Sequence, residues 1–384
     1  FGRSVAAAIM SSRANDGASA VVRYTATPAP GVWRPTPGAF APALLPQWGN
    51  IVPFGVEDTT KYVPAPPPAL ESSQYVSDFE QVKALGSANS TRRTAEQTVI
   101  ARFWANGAGT STPPGHWNQI ARVVVRRLGL GVGEEARLYA LLNIAMADAA
   151  IVAWKTKYQY NFWRPITAIR EAESDGNPAT AADPSWTPLL ATPPFPEYTS
   201  GHSTFSGAAA MVLERITGRR NFLFTATSDD APGIARTYPD FRTAAAESGM
   251  SRIYGGIHFW SANEAGLKSG GDIGHDVADK LLRRVRGGGG GGGGGRGLAL
   301  GSREERAHER NGHTRSLARP GKDAAMRCRR CISAPAAGRR SAVARRGPRS
   351  SRARLGKSRR CFRRGGQCAR ICPSPCPCRS RRCG

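Results

Sequence analysis

The chain has 384 residues, 40% of them hydrophobic, and a formal net charge of +26. Charge and sulfur are both segregated: all 8 cysteines fall between Cys328 and Cys383, and residues 287–384 carry 26 basic against 4 acidic side chains. Residues 1–286 are left nearly neutral, with 28 basic and 24 acidic groups and no cysteine. That excludes thiolate-ligated haem, cysteine nucleophiles and iron–sulfur clusters there, and removes any charge argument for a nucleic-acid-binding domain.

About 286 residues can bury a large core without disulfides, since roughly 75% of the unfolded surface is removed from water at that size. No run offers the ~20 clean apolar residues of a membrane span. Residues 136–154 come nearest but include Arg137, Asn143 and Asp148, and read as a core helix. The chain begins at Phe1 without a Met, which is compatible with a preceding leader and secretion.

In residues 1–70, Pro28, Pro30, Pro35, Pro37, Pro42, Pro46 and Pro53 leave little room for regular structure. Trp33, Phe40, Leu44, Trp48, Ile51 and Phe54 are too many large apolar groups for a linker. The segment is expected to be an extended arm packed on a helical domain over 71–286. Helical patterns start near residue 76. Ser90, Thr91 and Thr94 are candidate N-caps for a helix over 92–105. Thr112-Pro-Pro-Gly115 reads as a turn before a helix over 117–128. The longest candidate is 134–158, with Glu134 and Glu135 where the helix dipole favours acids. A proline-rich loop over 171–199, a small-residue helix over 204–217, a loop over 218–240 and helices over 241–250 and 263–285 complete the domain. Period-2 alternation is scarce, so the fold class is all-α, a helical bundle with long loops. Nine glycines at 287–295 and the Arg/Cys-rich sequence after them predict a disordered tail. Cys328 and Cys331 have the spacing of half a zinc site, but the later cysteines supply no second half, so an unselected extension is favoured.

Three short stretches concentrate cations and imidazoles: Lys157 through Arg164-Pro165, Ser200-Gly201-His202, and Ser251-Arg252 followed, after five intervening residues, by His258. An oxyanion leaves water only where cations and N–H donors replace its hydration. Arg164 and Arg252 can supply paired donors and Lys157 a compact charge. The amides near Ser200, Gly201 and His202 lie where a loop enters a helix. One imidazole can bond the central atom while the other moves protons.

The pattern resembles the signature of the vanadium-dependent haloperoxidases, in the superfamily of type 2 phosphatidic acid phosphatases and bacterial acid phosphatases. The flanks Gly31-Val-Trp-Arg-Pro, Trp104-Ala-Asn-Gly and Asn161-Phe-Trp-Arg-Pro are similar too, and the resemblance spans about residues 20–285. It implies a helical bundle of the chloroperoxidase and acid phosphatase type, with vanadate as cofactor and no haem. It also implies His258 as the vanadium ligand, His202 as the acid–base group, and Lys157, Arg164, Arg252, Ser200 and Gly201 around the oxygens. Hydrogen peroxide, a halide and a small organic acceptor are the implied partners. A phosphomonoesterase working through a phosphohistidine at His258 is the second reading, and a non-catalytic oxyanion binder the third. The phosphatase form has an Asp four residues after its last histidine. Ala262 stands there, which predicts a poorly supported His258 and favours the haloperoxidase reading. His116 is expected to pack and His275 to lie on the surface. Asp148 is expected to pair with Arg252 or Lys157, and Trp163 and Phe195 are candidates for a halide pocket.

Overall fold

The computed structural model describes residues 2–283. The polyglycine run and the Arg/Cys-rich tail lie outside the described residues. In chain order the elements are α1 (Gly2–Ser12), α2 (Ser73–Gly86), α3 (Ala95–Phe103), α4 (Thr112–Leu128), α5 (Val132–Tyr160), α6 (Pro165–Arg170), α7 (Gly201–Thr217), β1 (Phe224–Thr227), β2 (Ala235–Tyr238), α8 (Phe241–Tyr254) and α9 (Trp260–Lys280). The fold is a helical bundle with one small hairpin.

Local chemistry explains most boundaries. Thr94 and Gln97 close a reciprocal capping box at the start of α3. Thr112-Pro-Pro-Gly115 is not a turn but the first turn of α4, where proline loses no hydrogen bond. The loop expected over 218–240 contains the antiparallel pair β1–β2, with Phe224 opposite Tyr238. Four-residue strands are too short to show a period in sequence. Residues 1–70 include α1 and two 3-10 turns, so the arm is less extended than expected.

Helix α5 is long and apolar enough to cross a membrane by length and composition, and most of it is buried inside the fold. Leu138, Leu141, Leu142, Ala145, Met146, Ala149 and Val152 recur at helical spacing and pack with Ala208, Ala209, Val212 and Leu213 of α7. Asp148 does not pair with Arg252 or Lys157. Its carboxylate accepts the amides of Phe54, Gly55 and Val56 at 2.6, 2.8 and 2.9 Å, and so fastens the arm to α5.

Helices α7 and α9 cross at backbone contact. Gly266, Gly270 and Gly274 recur every four residues on α9 and meet Ser200, Thr204 and Ala208 at the same spacing on α7. A Cβ on Gly270 would strike the Thr204 carbonyl oxygen and approach the Ala208 nitrogen at 3.0 Å, whereas one on Gly271 would meet nothing within 4 Å. Alanine gains about 1 kcal/mol over glycine in a helix, while forcing atoms into a filled interface costs roughly 1–3 kcal/mol. Gly270→Ala is therefore expected to lower the melting temperature and Gly271→Ala to raise it. Calorimetric scans of both variants check the opposite signs.

His116 is buried, as expected. Its ring stacks on Trp104 with centroids 4.6 Å apart, and its Nδ1 meets Asn106 Oδ1 at 3.1 Å. Burial depresses its pKa to about 4. A depressed imidazole contributes stability that is complete above the unfolded value near 6.5 and is lost as pH falls through about 4. At 1.36 kcal/mol per unit the loss is about 3 kcal/mol. Denaturant titrations at pH 7 and pH 4 are expected to show it, and His116→Phe to reduce it. His275 lies on the surface between Asp276 and Asp279.

Candidate active site

The sequence places Lys157 in the last turn of α5 and Arg164 just before α6. Between them Asn161 takes a left-handed conformation at φ 52° and caps α5. The arm clamps this reversal: the Trp33 amide donates to the Asn161 carbonyl (2.8 Å), the Trp163 amide to the Gly31 carbonyl (2.9 Å), and the Tyr24 hydroxyl to Asn161 Oδ1 (2.6 Å). Ser200 is the N-cap of α7, its hydroxyl accepting the Ser203 amide, and its own amide donates to the Ala262 carbonyl of α9. The helix thus starts at Gly201, three residues earlier than expected. The amides of Gly201 and His202 head it, where no preceding turn can accept them. Arg252 lies in the last turn of α8. Gly256, at φ +78°, turns the chain toward His258, and a Cβ there would strike the Gly86 carbonyl.

These segments converge. Arg164 Nη1 donates to the Ile257 carbonyl at 2.8 Å and lies 3.1 Å from His258 Nε2. Lys157 and Arg164 stand over the same Phe195 ring, 4.9 and 4.8 Å from its centroid. His202 Nε2 and Arg252 Nη1 share the Ala105 carbonyl at 3.2 and 3.4 Å. A carbonyl only accepts, so His202 carries its proton on Nε2 and leaves Nδ1 bare. His202, Arg252, His258 and Gly201 line a cavity of about 560 Å³. Lys157, Arg164 and Ser200 are not among its lining residues; they stand behind it, buried.

The ammonium of Lys157 donates to the carbonyls of Pro196 and Glu197 at 3.1 Å each and to that of Thr199. Burial and the charge of Arg164 push its pKa well down, against Glu197. Three carbonyls can each receive a proton only from the charged form, because a neutral amine has two N–H bonds. Lys157 therefore fixes the loop before Ser200 and adds charge to the cavity from behind. Burial lowers Arg164 to about 10 and Arg252 to about 9, so both stay cationic at neutral pH.

His258 is not poorly supported. Glu197 Oε1 lies 2.8 Å from its Nδ1 and also accepts the Phe259 amide at 2.9 Å. The carboxylate holds the imidazole proton on Nδ1, so Nε2 carries a lone pair, which accepts from Arg164 Nη1 at 3.1 Å. Burial and the surrounding cations hold the His258 pKa well below its ordinary value, so the ring is neutral. Burial raises Glu197 to about 7, opposed by Arg164, the Phe259 amide and Lys157. Sequence reasoning missed this residue because it looked for an acid four positions after His258. Glu197 comes from 61 residues earlier, and the signal was that it is the only charged side chain in residues 184–201.

Residues 137–287 match the family model of the VCPO second helical-bundle domain. The vanadium chloroperoxidase of Curvularia inaequalis is 31% identical over a match covering 51% of this chain and 42% of that protein. The chain thus spans less than half the length of that curated relative. The crystal structure of the first bacterial vanadium-dependent iodoperoxidase is similar at a TM-score of 0.58 and 38% identity, over 66% of this chain and 62% of that one.

The chain carries the VCPO second helical-bundle domain and is similar to vanadium haloperoxidases beyond it.

A bacterial vanadium-dependent chloroperoxidase in its holo form shares the fold at a TM-score of 0.59, over 72% of this chain and 71% of that one, with 18% identity. Whether this site suits vanadate is tested by its unpaired atoms. Arg164 Nη2 and Arg252 Nε are buried donors without a partner. Buried donors are rarely left so, and two in one cationic cluster fit an anion. Among the described residues no group of three or more His, Cys, Asp or Glu side chains could hold a metal cation. One imidazole among cations and amides is the donor set of an oxyanion. Of the two candidates for a halide pocket, Phe195 lines the cavity, while Trp163 is fully buried in the core with Tyr75, Phe162 and Phe259. Trp154, whose ring lies 5.0 Å from that of Phe195, lines the cavity instead.

Proposed function

We propose that the chain is a vanadate-dependent haloperoxidase that oxidises halide with hydrogen peroxide to a hypohalous species. The observation that carries this reading is the set of three buried cations, two with free guanidinium donors, gathered about a neutral imidazole whose unprotonated Nε2 faces Arg164. His258 Nε2 would hold vanadate, with Arg164, Arg252 and the amides of Gly201 and His202 balancing its oxygens and Lys157 fixing the loop that carries them. Ser200 would cap the helix that presents those amides, its hydroxyl accepting from Ser203. Bound vanadate supplies a Lewis-acidic centre that activates peroxide without changing oxidation state. His202 Nδ1 would take a proton from hydrogen peroxide entering the cavity and later give it up as a general acid. Trp154, Phe195 and Phe205 keep bulk water from the apolar side.

The Glu197–His258 contact favours one alternative, a phosphomonoesterase. An imidazole oriented by a carboxylate is equipped to attack phosphorus, with His202 protonating the leaving alcohol. The missing acid at Ala262 no longer counts against it. Two assays separate the readings: bromination of a phenolic dye by the full chain with orthovanadate and peroxide, and hydrolysis of p-nitrophenyl phosphate without vanadate. Bromination is expected. Ester hydrolysis with no bromination would reverse the order.

A further inference from the structure

The cavity in front of His258 is larger and more apolar than halide and peroxide require. Its volume is about 560 Å³, whereas a water molecule's share of the liquid is about 30 Å³. Away from His202, Arg252 and His258 its walls are mainly Leu44, Trp154, Leu190, Pro193, Phe195 and Phe205. Apolar walls with a few polar groups are the form of a site for an organic molecule. The polar groups are present and unused. Among the lining residues, Thr192 Oγ1 and Asn106 Nδ2 are buried without a hydrogen-bond partner. The other end of the Asn106 amide is held by His116.

We propose that this chamber binds the organic acceptor itself, a small aromatic molecule of the phenol class, beside the centre where halogen is activated. A hydroxyl and an amide suit a neutral phenolic hydroxyl, which donates and accepts, and the aromatic walls suit its ring. Lys157, Arg164 and Arg252 disfavour a cationic ligand. Binding stands on the chamber alone, whereas the halogen transfer after it rests on the haloperoxidase reading. In that transfer the hypohalous species meets the ring before escaping: the carbon–halogen bond forms as the halogen–oxygen bond breaks, and the ring proton leaves with the hydroxide as water. Hydrogen peroxide is the only oxidant required.

Calorimetric titration of the vanadate-free full chain with 4-propylphenol tests the binding alone. Saturable one-to-one binding is expected. Ala191→Trp, at the exposed rim, fills the chamber and is expected to weaken it at least tenfold. Thr192→Val removes one hydrogen bond and is expected to weaken it by about two- to tenfold. Thermal melting shows whether each variant is folded. Absence of saturable binding, or binding that neither variant weakens, overturns the proposal. Neither vanadate nor peroxide is present, so this result is independent of the dye assay.

Discussion

His258→Ala is expected to empty the site of vanadate. After loading and dialysis, vanadium analysis should find about one atom per wild-type chain and only background in the variant, with bromination lost in parallel. The expectation comes from proton placement. His202 donates through Nε2 to the Ala105 carbonyl, and His258 keeps its proton on Nδ1 against Glu197, so His258 Nε2 is the lone pair set among Arg164, Lys157 and Arg252. Guanidinium donors and amides hold an anion electrostatically and exchange it, whereas a bond to the central atom retains it through dialysis. Full vanadium content in the variant would remove His258 from the assigned role.

Glu197→Ala is expected to weaken vanadate by about 10–100-fold, the usual cost of losing the group that orients a ligating histidine. Glu197→Gln, whose amide oxygen can still accept from Nδ1, is expected to recover part of that loss. An opposing effect exists. Removing a negative charge from a cationic site strengthens its attraction for anions, and it does so in both variants. The ordering wild type, Gln, Ala therefore isolates orientation from charge. Nitrogen NMR of the His258 ring gives a second readout, since loss of the carboxylate should release the Nδ1–H tautomer. Tighter vanadate binding by the Ala variant would mean that the carboxylate opposes the anion more than it orients the ring.

Much of this site was legible because its residues recur at fixed short spacings within three segments. Lys157 and Arg164 flank one helix end, Ser200 to His202 form one helix start, and Arg252 and His258 flank one glycine turn. What could not be read is what depends on packing between segments. Glu197 supports His258 only because the 171–199 loop folds back beside α9. Asp148, expected near Arg252 or Lys157, faces the arm, since a lone acid on an apolar helix does not declare its partner. Trp163 and Trp154 lie in one stretch of sequence, and only the reversal at Asn161 decides that Trp163 enters the core and Trp154 the cavity. The fold class came from helical periodicity, while the β1–β2 hairpin and the extra turn of α4 were hidden by shortness and by prolines tolerated at a helix start.

The most direct test is an equilibrium titration of the vanadate-free chain with orthovanadate, repeated in the presence of inorganic phosphate. One saturable site per chain, competitively weakened by phosphate, is the expected result, because both anions would draw on the same Arg164 and Arg252 donors. Vanadate uptake that does not saturate, or that phosphate leaves unchanged, would contradict the assignment of these three segments to a single oxyanion site.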